Sequence, residues 1–99
     1  MITIWKYELP LEDEFTIDMP AQSKILCVQR QGDAPVIWAI VDTERAQISR
    51  KFQIFGTGQS DIEIAEGMKY VGTFQLLGVW HLFVEESELL SAFEEAKRK

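Results

Sequence analysis

The sequence is poor in the residues that support disulfides, metal sites and membrane spans. It has one cysteine and one histidine in 99 residues, so no intramolecular disulfide can form and a zinc site of histidine and cysteine lacks ligands. No apolar run approaches the roughly 18 residues that a membrane-spanning helix needs. The first residues lack the basic start and apolar stretch of a secretory signal. We therefore expect a cytoplasmic protein with no metal, no cofactor and no membrane contact.

Positive charge is also scarce. Ten lysines and arginines stand against sixteen acidic residues, which gives a formal net charge of −6. A surface of that sign repels phosphate backbones, so we do not expect nucleic-acid binding. It suits a basic protein partner instead. The composition, 46% hydrophobic and 26% charged, is typical of a globular chain, and the length fits a single domain over residues 1–99.

Short runs of β-branched and aromatic residues predict six or seven strands, because such side chains fit a pleated, half-buried surface. Prolines, glycines and acidic loops separate the runs. The runs cover residues 2–9, 15–19, 24–29, 36–41, 48–55, 70–77 and 79–84. Short connections with glycine favour antiparallel hairpins. Residues 36–41 are apolar at every position, which predicts a central strand.

Near the C-terminus, the spacing of the apolar residues changes from that of a strand to that of a helix. Ser87 is a good N-cap, and Leu89, Leu90 and Phe93 form an apolar stripe at helical spacing. We expect a helix over residues 87–98. The predicted fold class is therefore α+β and β-rich: a body over residues 1–85, built as a single antiparallel rolled sheet or small barrel of six to seven strands, followed by one C-terminal helix.

A tetrapeptide frame occurs twice, as Gly56-Thr57-Gly58-Gln59 and as Gly72-Thr73-Phe74-Gln75. A glycine directly after a strand-like run means that the backbone leaves regular geometry or that a neighbour packs too close for a side chain. We interpret the first copy as a strand-ending loop with freed backbone donors. In the second copy, Gly72 is expected to sit within a strand and to allow close approach. Convergence of the two copies would require pairing of residues 48–55 with 70–77.

The first copy is the best candidate for a ligand site. It lacks the Gly-Lys-Ser/Thr of a phosphate-binding P-loop, but its free amides suit a phosphate or carboxylate. A small-ligand or nucleotide site here would use Thr57 and Gln59, with Arg50 and Thr73 beside them.

No catalytic constellation is evident, so we expect a protein without catalytic residues. Cys27 lies in an apolar run, where cysteine usually behaves as a small buried hydrophobe. His81 lies between Trp80 and Leu82 and is interpreted as structural. An enzyme would need Cys27 and His81 to approach within hydrogen-bonding distance in a cleft.

Five segments carry a resemblance to a known group of proteins. They are Ile4-Trp5-Lys6-Tyr7, Trp38-Ala39-Ile40-Val41-Asp42, residues 52–58, residues 69–75 and Trp80-His81-Leu82-Phe83. Together they resemble a family of small uncharacterised proteins encoded by tailed bacteriophages and prophages, over roughly residues 2–85. In that pattern a histidine often follows the Gly-Thr-Gly, where this chain has Gln59. The resemblance implies a phage or bacterial setting, with the host cytoplasm as the compartment of a phage-encoded protein.

Three functional hypotheses follow from these features. The first is a small non-enzymatic phage-related protein that binds a protein partner and modulates a host or defence factor. The second is a small-ligand or nucleotide binder that uses the loop from Gly56 to Gln59. The third is a structural or assembly accessory protein. A homodimer through an open sheet edge is a further expectation.

Overall fold

The computed structural model describes residues 1–86, and the helix predicted over residues 87–98 lies outside them. All seven elements of the described part are β-strands. They are β1 (Ile2–Glu8), β2 (Glu14–Pro20), β3 (Lys24–Gln31), β4 (Ala34–Asp42), β5 (Gln47–Gly56), β6 (Met68–Gln75) and β7 (Val79–Glu85). Since residues 1–86 contain no helix, the α+β class was wrong for the described chain, which is all-β.

The strands form two antiparallel sheets. One has three strands in the order β1-β4-β3, and the other has four in the order β2-β5-β7-β6. The prediction of a single rolled sheet or small barrel was therefore wrong. Hairpin signals report only pairing between consecutive strands, whereas β1–β4 and β2–β5 pair across long stretches of chain. The central position predicted for residues 36–41 is confirmed, because β4 lies between β1 and β3.

The core lies between the two sheets. Ile37 of β4, Phe52 of β5 and Leu82 of β7 are at most 1% exposed and belong to one buried cluster. Phe15 lies opposite Phe52 in the β2–β5 ladder, and their rings stack with centroids 5.4 Å apart. Truncating a ring as buried as Phe52 to alanine costs about 3–5 kcal/mol, so this strand pair anchors the four-stranded sheet.

The sheets approach closely where β3 faces β6. A Cβ atom at Gly72 would lie 3.1 Å from Val28 Cγ1 of the opposite sheet. The expectation that Gly72 admits a close neighbour is thus confirmed. A bulge interrupts the β6 ladder between Tyr70 and Gly72, and bulges bend a strand and increase its twist.

Two connections shape the region around the site. Residues 57–67 form an irregular loop between β5 and β6. Gly78 belongs to a tight turn between β6 and β7.

Candidate functional site

The single histidine is the centre of a hydrogen-bonded chain on the four-stranded sheet. His81 Nε2 lies 2.7 Å from Thr57 Oγ1, and His81 Nδ1 lies 2.9 Å from Thr73 Oγ1. The Tyr70 hydroxyl is in turn hydrogen-bonded to Thr73 Oγ1. A neutral imidazole has one donor and one acceptor nitrogen, so the four groups can align head to tail. We call Tyr70, Thr73, His81 and Thr57 the hydroxyl–imidazole chain.

Strand order explains why these residues meet. β7 lies between β5 and β6, and His81 is directly opposite both Phe55 of β5 and Thr73 of β6. Both copies of the Gly-Thr frame therefore converge on one residue. The expected route to convergence, pairing of β5 with β6, was wrong, because β7 separates these strands. The hydroxyl–imidazole chain lies on the outer face of the sheet, since the neighbours of His81 in β7 point the other way and Leu82 is fully buried.

Trp80 lies beneath this arrangement, and its ring leaves little space for a side chain at Gly56, whereas Gly78 is favoured by its φ of +148°. A Cβ atom at Gly56 would lie 3.2 Å from the Trp80 ring, and one at Gly78 would lie 3.5 Å from Trp80 Nε1. The indole also donates a 2.9 Å hydrogen bond to the Leu76 carbonyl oxygen. One side chain thus packs against the end of β5 and holds the β6–β7 turn.

The backbone donors of the first Gly-Thr frame are largely engaged within the protein. The Gly56 N–H donates to Gln59 Oε1 at 3.0 Å, and the Thr57 N–H donates to the Val79 carbonyl at 3.0 Å. Gln59 therefore caps the loop with its own side chain. A phosphate at this position would have to displace that oxygen.

The rest of the loop folds back over β5 and is held there by Gln53. The Gln53 Nε2 group donates to Glu14 Oε1 at 3.1 Å and to the Glu63 carbonyl at 3.2 Å, while Gln53 Oε1 accepts from the Ala65 N–H at 3.0 Å. Gln53 is 4% exposed. Because every polar atom of this buried amide has a partner, the loop has a defined position.

A groove of about 410 Å³ opens between this loop and the β1–β2 connection. Phe55 and Ile62 supply its apolar surface, and Gln53 and Gln59 supply amides. Carboxylates complete the lining, from Asp13, Glu14, Asp61 and Glu63. Its chemistry therefore favours a cationic group with an apolar stem over an anion.

Aromatic rings continue the outer face from the groove to the edge of the sheet. Phe83 contacts Phe55 on one side and Tyr70 on the other, edge to face, with centroids 5.8 and 5.4 Å apart. Such pairs contribute about 0.5–1.5 kcal/mol beyond the area they bury. The row links the groove to the hydroxyl–imidazole chain in one continuous surface.

The β6–β7 turn presents an exposed leucine. Leu77 is 101% exposed and has a φ of +51°. Val79, at the start of β7, is 36% exposed, and Tyr70 on β6 is 54% exposed. An apolar residue is unusual at positive φ, where glycine and asparagine are favoured.

Arg50 lies apart from the other three residues of the sequence-based ligand site. It is 7% exposed on the inner face of β5 and donates to the carbonyl oxygens of Ser23 at 2.9 Å and Glu85 at 2.9 and 3.1 Å. Burial lowers the pKa of Arg50, and the nearby Glu86 and Glu85 charges oppose that shift. The guanidinium thus joins the β2–β3 connection to the end of β7. The structure brings together Thr57 and Thr73, with Gln59 beside them, and whether they bind a ligand stays a prediction.

Cys27 and His81 do not form the pair that the enzyme hypothesis required. Cys27 lies in β3 opposite Trp38, on the outer face of the three-stranded sheet. His81 lies on the outer face of the other sheet, with hydroxyl groups at both ring nitrogens. The two residues therefore occupy opposite surfaces of the sandwich.

Sequence reasoning missed His81, Gln53 and Leu77 as residues of this surface. The alternation of β7 contained a signal for His81, because its neighbours Trp80 and Leu82 are typical core residues. No local signal distinguishes Gln53 from the other polar residues of β5. The role of Leu77 depends on the turn conformation.

One family model matches residues 1–91 and describes a domain of unknown function, DUF7352. The chain belongs to this family. The match extends beyond the resemblance seen over residues 2–85. No curated protein and no solved structure matches the chain.

Two further findings concern the described residues of this DUF7352 member. Within residues 1–86, no group of three or more histidine, cysteine or acidic side chains is arranged to hold a metal ion. In the same part of the chain, no helix has the length and apolar character to cross a bilayer.

The candidate site is the outer face of the four-stranded sheet, with its groove, its hydroxyl–imidazole chain and its exposed turn.

Proposed function

We propose that this protein is a small non-enzymatic binding protein that contacts another protein through the outer face of its four-stranded sheet. The resemblance to phage and prophage proteins supports a phage-encoded origin, with the host cytoplasm as the compartment and a host or defence factor as the target. The net charge of −6 supports a basic partner.

The observation that carries this proposal is the exposed leucine of the β6–β7 turn. Left-handed backbone costs roughly 1–2 kcal/mol for residues other than glycine, and a wholly exposed Leu77 gains nothing from burial within the monomer. Asparagine or glycine would avoid both disadvantages. A residue that is unfavourable in the free protein is best explained by a contact made in a complex.

The turn is also preorganised. The Trp80 indole donates to the Leu76 carbonyl and packs beneath Gly78, and the Leu76 N–H donates to the Gly78 carbonyl at 2.9 Å. A rigid anchor loses less conformational entropy on binding than a flexible one. Leu77 therefore has the properties of an apolar anchor for a pocket on the partner.

The test compares Leu77→Asn with a matched control, Leu26→Asn. Leu26 is 42% exposed in β3 of the three-stranded sheet, away from the β6–β7 turn and the groove. The immobilised wild-type protein should retain a stoichiometric partner from bacterial lysate, and Leu26→Asn should retain it equally. Leu77→Asn should weaken the interaction about tenfold or more, while raising thermal stability because asparagine tolerates positive φ. Equal capture by Leu77→Asn, or repeated failure to capture a partner, would contradict the proposal.

The nucleotide alternative has less support from the same surface. The Gly56 N–H already donates to the side-chain oxygen of Gln59. The adjoining groove is lined by carboxylates, which repel phosphate. A thermal shift with a nucleotide panel distinguishes the two functions. A ligand at 100-fold over its Kd would add roughly 2.7 kcal/mol to the free energy of unfolding.

A further inference from the structure

The groove beside the exposed turn has the composition of a receptor for a long cationic side chain. Phe55 and Ile62 line its apolar part, and carboxylates surround them. We propose that this groove receives a lysine or arginine side chain from a basic segment of the protein partner. This inference rests on the proposed function and names the chemistry of the partner.

Apolar and acidic surfaces occur here in the combination that such a side chain requires. Lysine and arginine bury their methylene stems along apolar surface and keep the charged head in a polar environment. Phe55, which is 7% exposed, and Ile62, which is 45% exposed, both line the groove and give it apolar surface for the stem. Groups that recognise the stem and the head therefore lie within one groove.

The carboxylates at the groove are free to pair with a partner. Within residues 1–86, none of Asp13, Glu14, Asp61 and Glu63 takes part in an ion pair. Glu14 accepts one hydrogen bond, from Gln53, through Oε1. A lysine or arginine side chain in the groove would bring the opposite charge to these carboxylates. Charge complementarity thus selects a basic segment over a second copy of this acidic chain.

The groove has a fixed shape and adjoins the proposed anchor. Gln53 holds the loop through Glu63 and Ala65, so little ordering is required on binding. The Thr57 N–H donates to the Val79 carbonyl, which joins this loop to the β6–β7 hairpin. A partner that contacts Leu77 can therefore extend a basic segment along Gln59 into the groove.

The experiment titrates the full-length ¹⁵N-labelled protein with short oligo-arginine and oligo-lysine peptides, with oligo-glutamine as the neutral control. Saturable shifts are expected at Asp61, Ile62 and Glu63 and at the side-chain amide of Gln53. Affinity should fall steeply with added salt, because the contact is electrostatic. Absence of saturable shifts at the groove would overturn the inference.

Charge variants test the same site. The double variant Asp61→Lys with Glu63→Lys should weaken oligo-arginine binding about tenfold or more, whereas Asp33→Lys, in the β3–β4 turn, should change it little. Asp61→Asn with Glu63→Gln removes the charges with less perturbation and should give a smaller loss in the same direction. Equal effects of the groove and turn variants would contradict the site.

Two outcomes separate this inference from the function on which it rests. If Leu77→Asn abolishes partner capture and both groove double variants retain it, the function stands and the groove inference fails. If the groove binds oligo-arginine while Leu77→Asn captures the partner normally, the proposed contact at the turn fails. Saturation by free arginine as tight as by oligo-arginine would indicate a small cation, and would overturn the assignment to a protein segment.

Discussion

The two Gly-Thr frames have the same pattern and different structural roles. In the first, Gly56 ends β5, the ring of Trp80 from the neighbouring strand lies close to it, and Gln59 turns back to cap the loop. In the second, Gly72 lies within β6 beneath Val28 of the opposite sheet. The first glycine accommodates a contact within its sheet, and the second accommodates the contact between sheets.

The threonines of the two frames have a shared role. Both hydroxyls bond to His81, one at each ring nitrogen. This follows from the position of β7 between β5 and β6, which places the two frames on either side of one histidine. The comparison shows that similar short patterns can differ in backbone role and still contribute threonine hydroxyls to one site.

The largest expected effect comes from adding a methyl group between the sheets. Gly72→Ala would place a Cβ atom 3.1 Å from Val28 Cγ1, and Val28 is 7% exposed in the core. The neighbour has little space to move, so we expect a loss of about 1–3 kcal/mol in the free energy of unfolding. Urea denaturation followed by tryptophan fluorescence measures it.

A second variant tests the cause of that loss. Val28→Ala removes the clashing methyl groups, so the double variant should be more stable than the sum of the two single effects predicts. A coupling of about 0.5–3 kcal/mol is typical of residues in contact. Strict additivity would show that Gly72 is required for another reason, such as the adjoining bulge.

Gly56→Ala should be milder than Gly72→Ala, although the distances are similar. Its Cβ atom would lie 3.2 Å from the Trp80 ring, but Trp80 is only half-buried and can tilt. We expect the free energy of unfolding to fall by about 1 kcal/mol. Tryptophan fluorescence should also change, because tilting the ring strains the hydrogen bond from the Trp80 indole to the Leu76 carbonyl oxygen. A loss larger than that of Gly72→Ala would reverse the ranking of the two glycines.

Much of the fold was predictable from local patterns. The seven runs of β-branched and aromatic residues correspond to the seven strands, and the continuous apolarity of residues 36–41 identified the central strand. The division into two sheets was not predictable in the same way. It depends on long-range pairings such as Trp5 with Ala39 and Phe15 with Phe52, which leave no mark in either partner's local sequence.

The sequence pointed to the two threonines of the site but not to the histidine at its centre. Gly56 and Gly72 drew attention to Thr57 and Thr73, because glycine after a strand is a local signal. His81 becomes their shared partner only through strand order, and Arg50 leaves the site because its side chain points to the inner face. The groove forms only because the loop over residues 57–67 folds back over Gln53, and the spacing of residues in the sequence does not predict that fold.

Among the hydroxyl groups, Thr73 should matter more than Thr57. Thr73→Val keeps the shape but removes two hydrogen bonds, to His81 Nδ1 and to the Tyr70 hydroxyl. A net loss of about 1 kcal/mol is expected, since an intramolecular hydrogen bond contributes about 0.5–1.5 kcal/mol and these groups are partly solvated. Ring ¹⁵N shifts of His81 report whether the proton moves between the two nitrogens. No change in stability or in these shifts would mean that solvent replaces Thr73 fully.

Thr57→Val should have the smallest effect on stability. It removes one hydrogen bond, at His81 Nε2, from an exposed loop that Gln59 and the Val79 carbonyl hold independently. We expect about 0.5 kcal/mol, with the ring ¹⁵N shifts changing mainly at Nε2, whereas Thr73→Val should act mainly at Nδ1. Thr57→Ser is the matched control, because it retains the hydroxyl and should preserve the shifts. If both valine variants perturbed the same nitrogen, the assignment of one threonine to each ring nitrogen of His81 would be wrong, and the two frames would have no shared role.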